Sequence, residues 1–398
     1  MCMISTNHDL FDSRIYWKEI ITLKKYGYDV FCIVISNDKQ TGITDHGIKY
    51  FKVKPRGKKY ENIFKRSIFY NETFSYDTYE EIFNIAKSLE CNVYHFHDLY
   101  LNIIGNRLKK LSCKPKVIYD VHEFYPDFIR DYYKTNGINT IIKNIYSYYV
   151  DIWEKLSSKK YDFIITADDA TANYFKNKFN INNIDVIYNY TNLNNIESSQ
   201  KIPNIDFKYK YYDAIYCGGI TEVRGVFQIL EAINIGKKHN DDFKVAFLGP
   251  IWDNDLKQRI LNYINNNNLQ DNVDFLGKVP HDKVPNYLVN SKLGLVTLLP
   301  IKKFYKNIPI KQFEYMAYGL PVIGSNLPPI KQFVGKYNCG KLINPLKPEE
   351  IWEAMKFILS NKEIYNKYSN NSINAIENNL NWDIMGKKLL QIYNEILG

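Results

Sequence analysis

No apolar run in these 398 residues approaches the roughly 20 that a helix needs to cross a bilayer. The opening stretch, MCMISTNHDL, has no basic start followed by an apolar run, so no secretory leader is expected. Six cysteines (Cys2, Cys32, Cys91, Cys113, Cys217 and Cys339) are widely scattered without a C-x-x-C pair. Several lie in apolar runs, and they read as small buried hydrophobes in a reducing compartment. The amino-terminal loop has no G-x-G-x-x-G, which counts against dinucleotide binding. There is no internal repeat and no long low-complexity tract. Charge of one sign does not dominate either. The formal net charge is +9, with 27 Lys+Arg against 24 Asp+Glu up to residue 200 and 25 against 19 after it. These absences leave a cytosolic globular protein, and its length suggests two domains of about 200 residues each.

What is present is an alternation of short β-branched or aromatic runs with helical patterns. DVFCIVIS (29–36), NVYHFH (92–97), KVIYDV (116–121), DFIITA (162–167) and DVIYN (185–189) read as strands in the first half. DAIYCG (213–218), FKVAFLG (243–249), NVDFLG (272–277), KLGLVTLL (292–299) and LPVIGS (320–325) read as strands in the second. Helical spacing marks 14–26, 98–111, 138–160 and the tail 382–397. Continuous apolar strands separated by helices imply parallel sheets covered on both faces. The polar stretch 190–212 reads as an interdomain linker. Two open α/β sheets in series each bind ligands at the carboxyl ends of their strands, so a cleft between facing domains can hold two substrates. One local feature stands out in charge. Lys52, Lys54, Arg56, Lys58, Lys59, Lys65 and Arg66 are interleaved with Phe51, Tyr60, Phe64, Phe69 and Tyr70. Residues 51–70 read either as a solvated face or as a surface resting on anionic lipid. No nucleic-acid-binding motif accompanies them.

Two motifs carry chemistry. NIPIKQFEYMAYGLPVIGS (307–325) reads as a loop, a short helix opening near Pro309, a break at Gly319 and a buried strand. A helix amino end suits a diphosphate, and Glu314, about a turn and a half inside, can accept two ribose hydroxyls. VIYDVHEFYPDF (117–128) puts His122 and Glu123 where a strand meets its turn. The plain reading is an amphipathic helix in one case and a backbone-satisfied histidine in the other. A rival reading assembles His95, His97, Asp98, His122 and Glu123 into the metal site of a hydrolase.

PIKQFEYMAYGLPVIGSNLP resembles the donor-binding segment of retaining glycosyltransferases of the GT-B fold, the family 4 type (glycosyl transferases group 1). YCGGITEVRGVFQILEAI (216–233) resembles that family's phosphate-binding strand, loop and helix. VDFLGKVPHDKVPNYLVNSKLGLV (273–296) resembles its base-contacting stretch. YHFHDLYLNIIG (94–105) with VIYDVHEFYPDF resembles the amino-domain pair of one subset, and STNHDLFDSRIYWKEIITLKKYGYDV (5–30) its first strand, loop and helix.

The resemblance implies an α/β fold of two Rossmann-like domains facing across a cleft. The amino-terminal, acceptor-side domain would span 1–195 and the donor domain 205–375, with helix 376–398 crossing back to the first. It implies that Arg224 neutralises the donor diphosphate, that Gly218 and Gly219 let the backbone approach it, and that Glu314 holds the ribose. Pro309, Ile310 and Lys311 would face diphosphate and sugar, and Val279 the base. His122 would lie beside the anomeric carbon as the catalytic residue. Asp12, Arg14, His97 and Glu123 are acceptor-side candidates, although Asp12 and Arg14 could instead tie their loop down, and Asp98 could cap the next helix. The donor would be a nucleotide-sugar, a UDP-sugar ahead of a GDP-sugar, with no cofactor and no metal. The acceptor would be a glycan or lipid-linked saccharide in surface polysaccharide synthesis. Two positions depart from the pattern: Gly219 stands where many relatives have arginine, and Lys306 where they have the first of two glutamates. Those departures keep open a non-catalytic partner or scaffold, and an epimerase or hydrolase on the same fold.

Overall fold

The computed structural model describes residues 1–55, 75–122, 129, 138–192, 210–280 and 283–398. The chain divides into two compact units, Met1–Asn189 with Met385–Gly398, and Tyr190–Ile384.

The first unit is built on an eight-stranded sheet. Its strands are β1 (Cys2–Ser5), β2 (Phe31–Ile35), β3 (Gln40–Ile43), β4 (Lys49–Val53), β5 (Val93–His97), β6 (Lys116–Val121), β7 (Phe163–Thr166) and β8 (Ile184–Val186). They run in the order β3-β4-β2-β1-β5-β6-β7-β8, all parallel except β3, which pairs antiparallel with β4. Central strands are buried along their whole length, which is why they read as unbroken apolar runs. Beneath them, Phe96 stacks on Tyr119 at 5.0 Å and meets the edge of Tyr161 at 5.2 Å. The helix Trp382–Leu397 contributes its residues from Met385 onward to this unit, with Tyr393 fully buried. The first strand starts at Cys2, so Ser5 ends it rather than beginning it. Strands β3 and β4 were not expected. Gln40–Ile43 is an exposed edge strand, so burial imposes no apolar pattern on it.

The second unit holds a six-stranded, wholly parallel sheet. It comprises β9 (Tyr212–Cys217), β10 (Val245–Leu248), β11 (Val273–Gly277), β12 (Ser291–Val296), β13 (Val322–Ser325) and β14 (Gly340–Ile343), in the order β11-β10-β9-β12-β13-β14. Helices Val226–Lys238 and Pro348–Ser360 bury Ile229, Leu230, Ile233, Ile351 and Met355 against it. Strand order reverses direction between β1 and β5 in one sheet and between β9 and β12 in the other. Loops leaving neighbouring strands diverge at such switch points and leave room for a ligand. Most of the expected linker (193–209) and of the basic aromatic segment (56–70) lies outside the described residues.

Candidate active site

At the first switch point, strands β5 and β6, with the segments that follow them and β1, bring nine polar side chains together. Arg14 opens the helical segment that runs as a π-helix over Ile15–Ile20 and an α-helix over Ile21–Lys25. It is 4% exposed. Its Nε donates to Glu19 Oε1 (3.0 Å), Nη1 to the Ile187 carbonyl (2.9 Å), and Nη2 to both Asp120 oxygens (3.1 and 3.3 Å). His122 follows β6 and stands in front of this group. Its Nε2 is 3.1 Å from His97 Nδ1 and 3.5 Å from Asp120 Oδ1. His97 stacks on His95 at 4.8 Å, and His95 Nδ1 meets the Tyr393 hydroxyl at 2.9 Å. On the other side of His122, at 5.0 Å between ring centroids, His8 is gripped by Asp12 (3.0 Å) and Asp98 (3.5 Å).

Burial sets the protonation of this group. It would raise the Asp120 carboxyl, but Arg14 and then His122 more than offset it, holding Asp120 well below the usual carboxylate range. Glu19 goes the other way: burial, then the charge of Asp120, pushes it well above. Burial also lowers both His95 and His97. For His8, burial is outweighed by hydrogen bonds to Asp12 and Asp98, which raise it to about 10. Burial thus favours the neutral forms of Glu19, His95 and His97 around the Arg14–Asp120 ion pair, and the two carboxylates gripping His8 favour its charged form.

Several expectations change on this geometry. Asp98 makes no cap hydrogen bond to the helix it precedes. It adopts φ +73°, a left-handed conformation costing a non-glycine residue about 1–3 kcal/mol, and turns its carboxylate to Asn7 (3.4 Å) and His8. Arg14 and His97 are interior groups, so neither offers a surface to an acceptor. Arg14, with the Asp12 carboxylate accepting from the Arg14 and Ile15 amides, ties the loop down instead. Glu123 lies outside the described residues. The metal reading also meets an obstacle. Ligand atoms of Glu19, His95, His97 and Asp120 do fall within 4.8 Å of one another. However, the Arg14 guanidinium already bonds both carboxylates, placing a fixed cation where a metal would sit.

The second switch point is built around a glycine turn after β9. Gly218 has φ +117°, open only to glycine without strain. Its amide donates to the Leu248 carbonyl (2.8 Å) and that of Ile220 to the Pro250 carbonyl (3.0 Å), which binds this loop to the one after β10. A Cβ on Gly219 would lie 2.3 Å from the Trp252 ring, so the indole occupies the space that a side chain would need. Arg224 donates to the Gly219 carbonyl (3.0 Å). From the other side comes the helix Lys311–Ala317. It begins two residues later than expected, because Pro309 and Ile310 remain in the preceding loop, and this puts Lys311 and Glu314 in its first turn. The Tyr315 hydroxyl anchors it, accepting from the Cys217 amide (2.7 Å) and donating to the Leu295 carbonyl (3.4 Å). The Lys311 Nζ then sits 3.5 Å from the Tyr216 ring centroid and 3.3 Å from where a Cβ on Gly218 would lie. It is buried with no hydrogen-bond partner among the described residues. Burial, then repulsion from Arg224, brings it down to about 7. Two basic side chains thus converge on a bare backbone turn.

Comparison with known proteins matches this chain to two family models in succession: Glycosyltransferase Family 4 over residues 20–195 and Glycosyl transferases group 1 over 198–375. The chain is a GT-B glycosyltransferase of group 1. A glycosyltransferase of Haemophilus influenzae is 22% identical over 352 residues, covering 88% of this chain and 87% of that one. The amylovoran biosynthesis glycosyltransferase AmsK of Erwinia amylovora is 26% identical over 145 residues, 36% and 35% of the two chains. Among solved structures, sucrose-phosphate synthase from Thermosynechococcus elongatus superposes with a TM-score of 0.73 at 15% identity over 100% and 99% of the chains. Anabaena Alr3699/HepE in complex with UDP-glucose gives 0.71 at 12% over 99% and 100%.

In this glycosyltransferase the motif residues fall into two groups. Gly218, Gly219, Arg224, Lys311 and Glu314 lie together at the β9–β12 switch point. Pro309 is half-buried and Ile310 40% exposed in the loop before the helix, and Val279 is half-buried after β11. His122, Asp12, Arg14 and His97 lie together at the β1–β5 switch point. Trp252 escaped the sequence reading, although an aromatic residue in the polar loop GPIWDND was a signal. So did Glu19 and Asp120, whose charges are concealed within apolar patterns, while His95 was read only as a rival metal ligand.

Proposed function

We propose that this glycosyltransferase moves a sugar from a nucleotide-sugar, a UDP-sugar ahead of a GDP-sugar, to a glycan or lipid-linked saccharide acceptor with retained anomeric configuration. The observation that carries the reading is the convergence of Lys311 and Arg224 on the Gly218–Gly219 turn. An unpartnered buried ammonium and a guanidinium at one turn form a site that is stabilised by an anion. Developing negative charge on a leaving diphosphate is met there by fixed cations, the arrangement that lowers a barrier most. No bound metal is needed when two side chains supply that charge. Glu314, in the first turn of the same helix, is the acceptor for ribose hydroxyls. Gly219, in place of arginine, is compensated by Lys311 on the charge side and by the Trp252 ring on the packing side. Retention and the sugar-side role of His122 rest on the resemblance to the retaining family.

The proposal includes contact with an anionic membrane surface. Helix Ile138–Ser158 turns Ile141, Ile142, Ile145, Tyr148, Ile152 and Leu156 outward, each at least 40% exposed. Lys155, Lys159 and Lys160 sit at its carboxyl end, matching apolar insertion with charge attraction. The deciding experiment is calorimetric titration with UDP, GDP, ADP and CMP, with Arg224→Ala and Glu314→Ala alongside, followed by sugar transfer in EDTA. One nucleotide binding the wild type and neither variant, and transfer unaffected by EDTA, is the expected result. No binding to any nucleotide would remove the reading's basis.

A further inference from the structure

His122 is held from behind by a row of buried groups that the donor site does not use. Its Nε2 faces His97 Nδ1 at 3.1 Å, while its Nδ1 has no hydrogen bond among the described residues. One hydrogen must lie between those two nitrogens, and the direction it points decides which atom His122 presents outward. His97 is fully buried, and its other nitrogen, Nε2, has no hydrogen-bond partner among the described residues. The group beside it is Glu19 Oε2, 3.8 Å away and likewise unpartnered. At this separation the two are not hydrogen-bonded, and each is the nearest group that could satisfy the other after a small approach. The remaining Glu19 oxygen accepts from Arg14, which also holds both oxygens of Asp120. Two buried carboxylates therefore share one guanidinium. His95, stacked on His97 and bonded to Tyr393, lies in the interior with them, and one guanidinium facing two buried carboxyls favours a proton kept on one of the two. Asp120, with two bonds from Arg14 against one for Glu19, is the one that ionises.

We propose that Glu19 and His97 are positioning residues that set the tautomer of His122. Glu19 keeps its proton on Oε2 and presents it to His97 Nε2. His97 then gives its Nδ1–H to His122 Nε2. His122 in turn carries its own hydrogen on Nδ1, as a donor facing away from the cluster. The pKa directions agree, since burial and Asp120 raise Glu19 while burial and His95 lower His97. A donor fixed in this sense suits an oxygen acceptor such as a sugar hydroxyl. The inference rests on the sugar-side role proposed for His122.

The test is nitrogen NMR of the full chain labelled at histidine. The protein has seven histidines, few enough for His122 to be assigned by loss of its signals in His122→Gln. The wild type should show His122 protonated on Nδ1. Glu19→Gln should keep that pattern, because an amide reproduces the neutral acid: its carbonyl accepts from Arg14 and its N–H donates to His97. Glu19→Ala and His97→Phe should shift His122 toward Nε2–H bonded to Asp120. In sugar transfer, Glu19→Gln should stay within about twofold of wild type, while His97→Phe lowers kcat by about tenfold, one hydrogen bond's worth, at unchanged donor KM. Nε2 protonation of His122 in the wild type, or its appearance in Glu19→Gln, would overturn the proposal. Should His97→Phe fail to fold, the Glu19 pair still decides. If the wild type transfers no sugar at all, the proposed function fails while the spectra still answer for the tautomer.

Discussion

Binding at the Gly218–Gly219 turn should take up a proton. Lys311 in the free protein is held at about 7 by burial and by Arg224. A diphosphate placed beside Nζ favours the charged form and lifts that value well above neutrality. The expected coupling follows from linkage. With a free pKa of about 7 and a bound one well above 8, uptake on binding rises from about 0.1 proton at pH 6 to about 0.9 at pH 8, and affinity falls about tenfold between them. A nucleotide-sugar is the right probe, since its diester phosphates do not titrate in this range. Calorimetry at each pH in two buffers of different ionisation enthalpy counts the protons directly. Lys311→Met should abolish the uptake and weaken binding by about 10- to 150-fold, the worth of one charged hydrogen bond at about 1.5–3 kcal/mol. Equal affinity at pH 6 and 8 with no proton taken up would refute the placement of Lys311 against the diphosphate.

Stability should carry the opposite sign from the same residue. The folded pKa of Lys311 lies below its ordinary value of 10.5, so between about 7 and 10.5 the unfolded chain binds more protons and the fold gains stability as pH rises. His8 opposes it: raised to about 10 from 6.5, it stabilises fully below 6.5 and loses that contribution as pH rises through 10. Thermal melts of Lys311→Met should therefore fall with pH between about 7 and 10 more steeply than those of the wild type. Gly219→Ala should displace the 72% exposed Trp252 ring. Stability should move by only about 0.5 kcal/mol while indole emission shifts, and the shift should be absent in the double variant with Trp252→Ala. Ile145→Asp should reduce co-sedimentation with phosphatidylglycerol vesicles without changing nucleotide affinity, and salt should weaken the wild-type association. Tyr393→Phe, which strips a buried partner from His95, should lower stability by about 1–3 kcal/mol in urea unfolding.

Much of the fold is legible in the sequence because parallel strands are buried on both faces. KVIYDV reads as a strand over the same six residues that form β6, and NVYHFH misses β5 by one. The pattern fails where the burial fails. β3 and β4 form an edge hairpin whose residues are mostly half or fully exposed, and β14 begins on a glycine, the first of three half-buried positions. The site is legible to a different degree in each unit. Gly218, Arg224 and Glu314 could be read because glycines, a basic residue and a carboxylate at set intervals around a helix start carry the chemistry locally. The group behind His122 could not. Arg14, Glu19, His95, His97 and Asp120 come from three segments, and only pairing of β1 with β5 and β5 with β6 brings them together. A charged residue read alone is assigned to the surface, and Arg14 and Glu19 follow no such rule because each is the other's partner.

The two sites differ in what they leave unsatisfied, and that difference separates their chemistry. Behind His122, the ion-pair count closes internally. Arg14 matches Asp120, and the neutral groups around them need no further charge. Such a cluster gains nothing from an ion and is suited to hold a neutral ring in one orientation. At the Gly218 turn the count does not close. Arg224 spends one hydrogen bond on the Gly219 carbonyl, and Lys311 lies against an aromatic ring with none, so burial drives it toward its neutral form. If Lys311 is kept for its ligand, substitution by methionine removes a desolvation penalty and stabilises the free enzyme near neutral pH. That gain in stability, together with the loss of nucleotide binding, is the signature of a group kept for its ligand. A Lys311→Met variant that is less stable than the wild type, and binds as well, would reassign Lys311 to the packing of Tyr216.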